Sequence, residues 1–253
     1  MPGRLIVHAG FHKTGTTSIQ RLLERNRQAL DPIGIVLRPD MLALCEAARA
    51  YSVSRDLVDL GFVRYEAAVL ADGWAEDTVL LSSEDLSGHM PGRRGINRYD
   101  AAPALAAAMA ETWEEALPGV SLCFVYMTRD AGPWLASCYV QHLRATRISI
   151  TSDHYSRAYA ASADLTGILA QVHAAVPDAE VRNLALESAT NVPLGPADAL
   201  LSCAGVPEDV RKTLTPAGHA NRSLSHKQQQ AFLALNRSNL SDDEVRAEKN
   251  RLS

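Results

Sequence analysis

The sequence predicts an α/β domain in which helices cover both faces of a central parallel sheet, a three-layer α/β/α arrangement. Two observations support this fold class. Apolar runs such as residues 5–7 and 120–128 lack the regular polar alternation of strands with one solvated face, which is typical of buried parallel strands. These runs alternate along the chain with longer segments whose apolar residues recur at helical spacing.

The first elements follow from local patterns. Residues 4–8 read as a buried strand that ends at Gly10, and residues 16–30 carry apolar side chains at the spacing of an amphipathic helix. A second short strand is expected at 34–37. The alanine- and leucine-rich segment 41–71 predicts helix, with a break near 52–54.

The remaining elements follow in the same way. Strands are predicted at 78–83, 120–128 and 180–186, and helices at 101–117, 133–147, 157–176, 196–204, 225–237 and 241–251. No repeat or linker divides the chain, so a single domain over 1–253 is expected. Its segments 88–98 and 147–156 are the expected substrate-facing insertions, and 225–253 is a helical C-terminal region.

Composition excludes several classes of function. A formal net charge of −4 argues against a general nucleic-acid binder, although a local basic pocket remains compatible with it. No apolar stretch approaches the roughly 20 residues that a membrane helix needs. The four cysteines and eight histidines show no metal-ligand spacing, so no metal site is predicted. Without a secretory signal, reduced thiols and a cytoplasmic location are expected.

The segment between the first strand and the first helix has the features of a phosphate-binding loop. A helix N-terminus presents backbone N–H groups to an anion, and glycines let the backbone close around it. Lysine and hydroxyl side chains supply further donors. The residues concerned are Gly10, Lys13, Thr14, Gly15, Thr16, Thr17 and Ser18. The alternative is a glycine-threonine turn that merely begins a helix.

Comparison with the nucleotide-triphosphatase pattern G-x-x-x-x-G-K-[ST] shows one difference. Gly10 and Gly15 have the right separation, and Thr17 occupies the Ser/Thr position. However, Thr16 stands at the lysine position, and the lysine comes earlier, as Lys13. This displacement of the cation argues against ordinary ATP hydrolysis.

Residues 13–18, KTGTTS, closely resemble the 5′-phosphosulfate loop K-x-G-T-[ST]-[ST] of bacterial sulfotransferases. The resemblance implies a P-loop-like sulfotransferase fold and 3′-phosphoadenosine 5′-phosphosulfate (PAPS) as co-substrate, bound without a metal. It also implies that Lys13 lies near the bridging oxygen of the donor. The acceptor would be a hydroxyl or an amine of a small molecule or glycan.

A second anion site is expected at the end of the 120–128 strand. The family holds the 3′-phosphate of its donor with an arginine here and a serine in the next helix, and Arg129 and Ser137 match both. An alternative partner for Arg129 is Asp130. In the C-terminal loop, Asn221 and Arg222 are candidates for covering the nucleotide, since many relatives place basic residues there.

Sulfuryl transfer to a hydroxyl needs a base. Relatives often place a catalytic glutamate or histidine after the third strand, and Glu84 stands there. His12 could contact the sulfuryl group or the acceptor, whereas Asp85 is expected to point elsewhere and His89 is a weaker candidate for the base.

A P-loop kinase and a non-catalytic nucleotide-binding module remain as alternatives. The basic residues of the 88–98 loop either bind an acidic acceptor or form a solvated basic surface.

Overall fold

The computed structural model describes residues 1–189, 192–218 and 224–252. Within these ranges, five parallel strands form one sheet in the order β2-β3-β1-β4-β5. The strands are β1 (Arg4–His8), β2 (Ile33–Leu37), β3 (Thr78–Ser82), β4 (Ser121–Thr128) and β5 (Glu180–Ala185). All five predicted strands are confirmed to within a few residues, as is the α/β fold class.

The helices of the first half are α1 (Thr16–Arg25), α2 (Leu42–Ser54), α3 (Leu57–Ala71), α4 (Ala102–Ala116) and α5 (Ala131–Ala145). The prediction of one helix over 16–30 is wrong at its end, because α1 stops at Arg25. Asn26 interrupts it by donating a side-chain hydrogen bond to the Thr215 carbonyl, and a short 3-10 turn follows. The predicted break in 41–71 falls between α2 and α3, where Asp56 caps the second helix.

The helices of the second half are α6 (Ser152–Ala158), α7 (Leu165–Ala175), α8 (Pro196–Cys203), α9 (Glu208–Thr213), α10 (His226–Arg237) and α11 (Asp242–Leu252). The single helix predicted over 157–176 is wrong, because Asp164 begins a new helix by accepting a hydrogen bond from the Gly167 N–H. The sequence also gave no sign of α9.

The core has two parts, one on each face of the sheet. Successive strand residues point to opposite faces. Leu5 and Val7 of β1 therefore pack with the larger cluster, which includes side chains of α2 to α5 and α7. Ile6 faces the other way and packs with Ile19 of α1 and Leu200 of α8. Helices thus cover both faces, and the central strands read as continuous apolar runs because neither of their faces meets water.

The strand order determines where a ligand-binding site can form. β1 pairs with β3 on one side and with β4 on the other, and all these pairs are parallel. The segments that follow β1, β3 and β4 therefore leave the sheet at the same edge. A ligand-binding crevice is expected there, because parallel α/β sheets bind ligands outside the carboxyl ends of strands where the strand order reverses.

Candidate active site

A cavity of about 1020 Å³ opens at this edge. The segments after four different strands contribute to its lining: Lys13 follows β1, Arg38 follows β2, Glu84 follows β3 and Arg129 follows β4. Its volume is at the upper end of the usual range for small-molecule sites. The cavity therefore brings together charged side chains that are far apart in the sequence.

The loop between β1 and α1 has a contorted backbone. Gly10, Lys13 and Gly15 have φ angles of 36°, 69° and 104°, in the left-handed region that side chains disfavour. Glycine is needed at position 10 for space as well, because a Cβ atom there would lie 3.1 Å from His8 Nε2 and 3.3 Å from Thr16 Oγ1. Lys13 is the exception, since it adopts this conformation despite its side chain.

Side chains hold the carbonyl groups just before Lys13. The Thr14 hydroxyl donates to the Phe11 carbonyl at 2.6 Å, and the indole N–H of Trp134 donates to the His12 carbonyl at 2.9 Å. Thr14 is fully buried, and neither it nor Gly10 lines the cavity. These two predicted donor-binding residues therefore shape the loop from behind.

The N-terminus of α1 faces the cavity. Thr16, Thr17 and Ser18 all line it, together with Gly15. The Gly15 carbonyl accepts hydrogen bonds from the N–H groups of Ser18 and Ile19, which begins the helix. The first N–H groups of a helix have no intrahelical acceptor, so this end of α1 is suited to an anion.

Arg129 and Ser137 line the same cavity from β4 and α5. The guanidinium Nη1 of Arg129 donates to the carbonyl of Lys13 at 3.2 Å, so this side chain also holds the loop. The alternative partner is not used: among the described residues, Arg129 forms no ion pair with Asp130. The two groups predicted for a second phosphate thus line the same cavity as Lys13, Thr16, Thr17 and Ser18 of the predicted phosphate-binding loop.

Lys13 lines the same cavity. Its ammonium Nζ donates to the Gln141 side-chain oxygen at 3.4 Å, a long hydrogen bond to an uncharged partner. Burial lowers the pKa of Lys13, and the positive charges of Arg144 and Arg129 add to this effect, while Glu84 opposes it. An anion bound beside Lys13 would favour its charged form.

Comparison with known proteins gives one structural match and no sequence match. The fold resembles the crystal structure of a sulfotransferase from Alicyclobacillus acidocaldarius, with a TM-score of 0.51 and 17% sequence identity over 99% of this chain and 96% of that chain. The chain has the sulfotransferase fold. No protein-family model and no curated protein matches the sequence, so the likeness is one of fold.

In this sulfotransferase fold, a network of hydrogen bonds lies beside the loop between β1 and α1. The Tyr99 hydroxyl accepts from the backbone N–H of His12 at 2.9 Å and lies 3.0 Å from His12 Nδ1. If the hydroxyl donates its proton to Nδ1, the ring proton is assigned to Nε2. That nitrogen lies 3.4 Å from Asp85 Oδ1, so both ring nitrogens of His12 have partners.

The expectation that Asp85 points away from the site is wrong, because Asp85 lines the cavity. Its carboxylate accepts a hydrogen bond of 2.6 Å from Arg38 Nε in addition to its contact with His12. Burial alone would raise the pKa of Asp85, but the hydrogen bonds from His12 and Arg38 outweigh it and hold the pKa well below its usual range. Asp85 is therefore ionised, and its charge is committed to Arg38 and His12.

Glu84 begins the 3-10 turn after β3 and lines the cavity. Gln20 of α1 donates from Nε2 to Glu84 Oε2 at 3.1 Å and to the Ser82 carbonyl at 3.2 Å. Among the described residues, the other carboxylate oxygen of Glu84 has no hydrogen bond. Gln20 thus fixes the position of this carboxylate, while Oε1 remains available to a ligand.

Both predicted insertions reach the cavity, through Met90 and Arg93 in one and Ser152 in the other. Arg222 and Asn221, predicted to cover the nucleotide, lie outside the described residues. Sequence reasoning missed Gln20, Gln141 and Tyr99 as members of the site. No motif marks these side chains, which are identified only by their contacts with Glu84, Lys13 and His12.

Across residues 1–189, 192–218 and 224–252, no cluster of three or more His, Cys, Asp or Glu side chains could hold a metal ion. In the same part of the chain, no helix is both long and apolar enough to cross a bilayer. The described cysteines Cys45, Cys123, Cys138 and Cys203 are free and buried.

Proposed function

We propose that this protein is a sulfotransferase that moves a sulfuryl group from PAPS to a hydroxyl or amine of an acceptor. One observation carries the proposal. The phosphate loop with Lys13, the pair Arg129 and Ser137, and the carboxylate Glu84 all open into one cavity. Two anion sites and a base in one space are what the transfer between a doubly phosphorylated donor and a hydroxyl requires.

The chain's own groups account for donor binding. The N-terminus of α1, with the hydroxyls of Thr16, Thr17 and Ser18, suits the 5′-phosphosulfate. Arg129 suits the 3′-phosphate, because a guanidinium offers paired donors that match phosphate oxygens, and Ser137 adds a hydroxyl. A nucleotide that carries phosphate at only one of these ends would leave one site empty.

Lys13 supplies positive charge at the point where negative charge develops during the transfer. As the bond between sulfur and the bridging oxygen breaks, the electron pair goes to the 5′-phosphate of the leaving adenosine 3′,5′-bisphosphate. An ammonium already held beside that oxygen stabilises the new charge without reorganisation. The positive φ of Lys13 and its anchored neighbours fix this position in advance.

Glu84 takes the proton. The acceptor oxygen forms its bond to sulfur while its proton passes to the free oxygen of the Glu84 carboxylate. Gln20 orients that carboxylate. His12, held between Tyr99 and Asp85, positions the neighbouring loop, and both of its ring nitrogens are already engaged by these two partners.

Calorimetric titration with adenosine 3′,5′-bisphosphate, ADP, and ATP with Mg²⁺ tests the proposal. We expect the 3′-phosphorylated ligand to bind at least roughly tenfold more tightly than ADP, because it alone fills both anion sites. Lys13→Ala should weaken its binding, whereas Lys227→Ala, which removes an exposed lysine of α10, should not.

Two results would contradict the proposal. Preference for ATP with Mg²⁺ would indicate a kinase. Tight binding of adenosine 3′,5′-bisphosphate, with no transfer of labelled sulfate to any of a broad panel of alcohols, phenols, amines and glycosides, would indicate a non-catalytic module.

A further inference from the structure

The cavity is far more basic than the protein that contains it. The chain has a formal net charge of −4. The cavity lining nevertheless contains more cationic than anionic groups: Lys13, Arg38, Arg49, Arg93, Arg129 and Arg144 against Glu84 and Asp85. We propose, on the basis of the sulfotransferase function proposed above, that the acceptor itself carries an anionic group and that Arg93 binds it.

Two of these arginines are already neutralised within the protein. Arg38 donates to Asp85 at 2.6 Å and lies 3.2 Å from Glu46. Arg49 lies 2.9 Å from the same Glu46 oxygen and donates from Nε to His89 Nδ1 at 3.3 Å. These two cations and two carboxylates form one compensated network, which leaves little charge for a ligand.

Arg93 has no such compensation. None of the described carboxylates forms an ion pair with it, and its buried Nε atom has no hydrogen-bond partner in the described part of the chain. A buried guanidinium N–H without an acceptor is costly, because the group has lost its water without replacement. Because Nε itself is shielded, a ligand anion would bind the part of the Arg93 side chain that lines the cavity, which has no carboxylate partner among the described residues.

The loop around Arg93 is built to hold it in place. Gly92 donates from its N–H to the Ile96 carbonyl at 2.7 Å, and Ile96 donates back to the Arg93 carbonyl at 2.9 Å. Gly92 has φ 91° and sits so close to His142 that a Cβ atom there would lie 2.4 Å from the imidazole Cε1. A solvated basic loop would not need this fixed turn, so the structure favours the acceptor-reading alternative.

The histidines beside Arg93 do not compete for the anion. Burial lowers the pKa of His142 to about 4, with the nearby charge of Arg93 adding to the effect, so the ring is neutral at pH 7. Its Nδ1 lies 2.8 Å from the Tyr155 hydroxyl. Burial and Arg49 likewise lower the pKa of His89 to about 4. Arg93 therefore carries a positive charge that no described carboxylate or histidine compensates.

The loop that carries Arg93 meets α5 at a different point from the groups assigned to the donor. Ser137 stands at the end assigned to the 3′-phosphate, and Gln141, one turn later, contacts Lys13 at the point of transfer. Gly92, next to Arg93, packs against His142, five residues beyond Ser137 and therefore about 7.5 Å further along the helix axis, and the charge of Arg93 acts on His142 as well as on Cys138 beside Ser137. The loop that carries Arg93 thus meets α5 beyond the point of transfer, which is the side we assign to the acceptor.

Matched acceptor pairs test this assignment. Each pair differs in one anionic group: methyl glucuronide against methyl glucoside, 3-hydroxybenzoate against its methyl ester, and a galactoside 6-sulfate against the parent galactoside. Binding to the protein saturated with adenosine 3′,5′-bisphosphate is measured by calorimetry, and transfer is measured with labelled PAPS. The carboxylate and sulfate arms show which anion Arg93 prefers.

We expect the charged member of at least one pair to bind roughly tenfold more tightly, since charge-assisted hydrogen bonds to a guanidinium are strong. Arg93→Gln should reduce this preference to within about twofold and leave the affinity for adenosine 3′,5′-bisphosphate unchanged. Arg94→Gln is the matched control, because it removes the same charge from an exposed neighbour that does not line the cavity.

Four outcomes would overturn the assignment: equal binding within every pair, no binding of any member, a preference that survives Arg93→Gln, or a large loss of nucleotide affinity in that variant. The last would make Arg93 a donor contact. Failure of the wild-type protein to bind adenosine 3′,5′-bisphosphate would instead count against the proposed function, so the two failures are distinguishable.

Discussion

Arg129→Ala separates the two roles that the structure gives this side chain. The guanidinium lines the cavity beside Ser137, and its Nη1 also donates to the Lys13 carbonyl at 3.2 Å. Loss of charged hydrogen bonds to a 3′-phosphate costs about 1.5–3 kcal/mol. For adenosine 3′,5′-bisphosphate, this corresponds to a rise in Kd of roughly 10- to 150-fold.

The affinity for ADP tests only the second role of Arg129, its support of the Lys13 loop, because ADP has no 3′-phosphate. Lys13 has φ 69°, a conformation that costs about 1–2 kcal/mol for a residue with a side chain. Trp134 and Thr14 still hold the carbonyls before Lys13 in the variant, so only part of the anchoring is lost. The Kd for ADP should therefore rise by less than about fivefold.

The assay is calorimetric titration of both nucleotides at one fixed ionic strength, because screening changes the strength of charge contacts. Arg129→Lys should fall between wild type and Arg129→Ala, since it keeps the charge but loses the paired donors. Arg246→Ala, which removes an exposed arginine of α11, is the control. Equal losses for both nucleotides would show that Arg129 only supports the loop, and the phosphate assignment would then be refuted.

Three further outcomes are expected. Glu84→Gln, nearly identical in size, should lower sulfate transfer by about 100- to 10,000-fold with nucleotide affinity unchanged, and near-normal transfer would assign the base elsewhere. Gly15→Ala should destabilise the protein to urea by about 1–2 kcal/mol, because φ is 104° and a Cβ atom would lie 3.0 Å from Leu186 Cδ1; an unchanged urea midpoint would contradict this. Burial lowers the pKa of both His8 and His142 to about 4, so the unfolded chain binds more protons below about pH 6.5. Stability should therefore fall as the pH drops from 6.5 towards 4, by roughly 3 kcal/mol per histidine at most, and the His8→Gln and His142→Gln variants should each show a shallower fall in urea titrations.

The sequence by itself predicted the strands, which the structure confirms, and the phosphate-binding loop on which the proposed function depends. β1 and β4 are recognisable because a strand covered on both faces needs an unbroken apolar run, whatever packs against it. The loop is recognisable because its chemistry is local: Gly10, Lys13 and Gly15 must stand at fixed spacing for one backbone turn to present a cation and helix N–H groups together.

Element ends were less predictable where a distant residue sets them. α1 stops at Arg25 because Asn26 finds the carbonyl of Thr215, which is far away in the sequence. The 157–176 segment divides at Asp164 because its carboxylate caps Gly167, a local signal that helical periodicity outweighed in the sequence analysis. The local sequence thus predicts only some of the hydrogen bonds that end helices.

Only the tertiary structure decided which charged groups of the cavity are paired within the protein and which are available to a ligand. From the sequence, Glu84 was predicted to be the base, and the adjacent Asp85 was expected to point away from the site. In the fold, Arg38 and His12 take the charge of Asp85, while Gln20 leaves one oxygen of Glu84 open. Ion pairing depends on distances of a few ångströms between residues from different elements, and no spacing along a single chain segment encodes such distances.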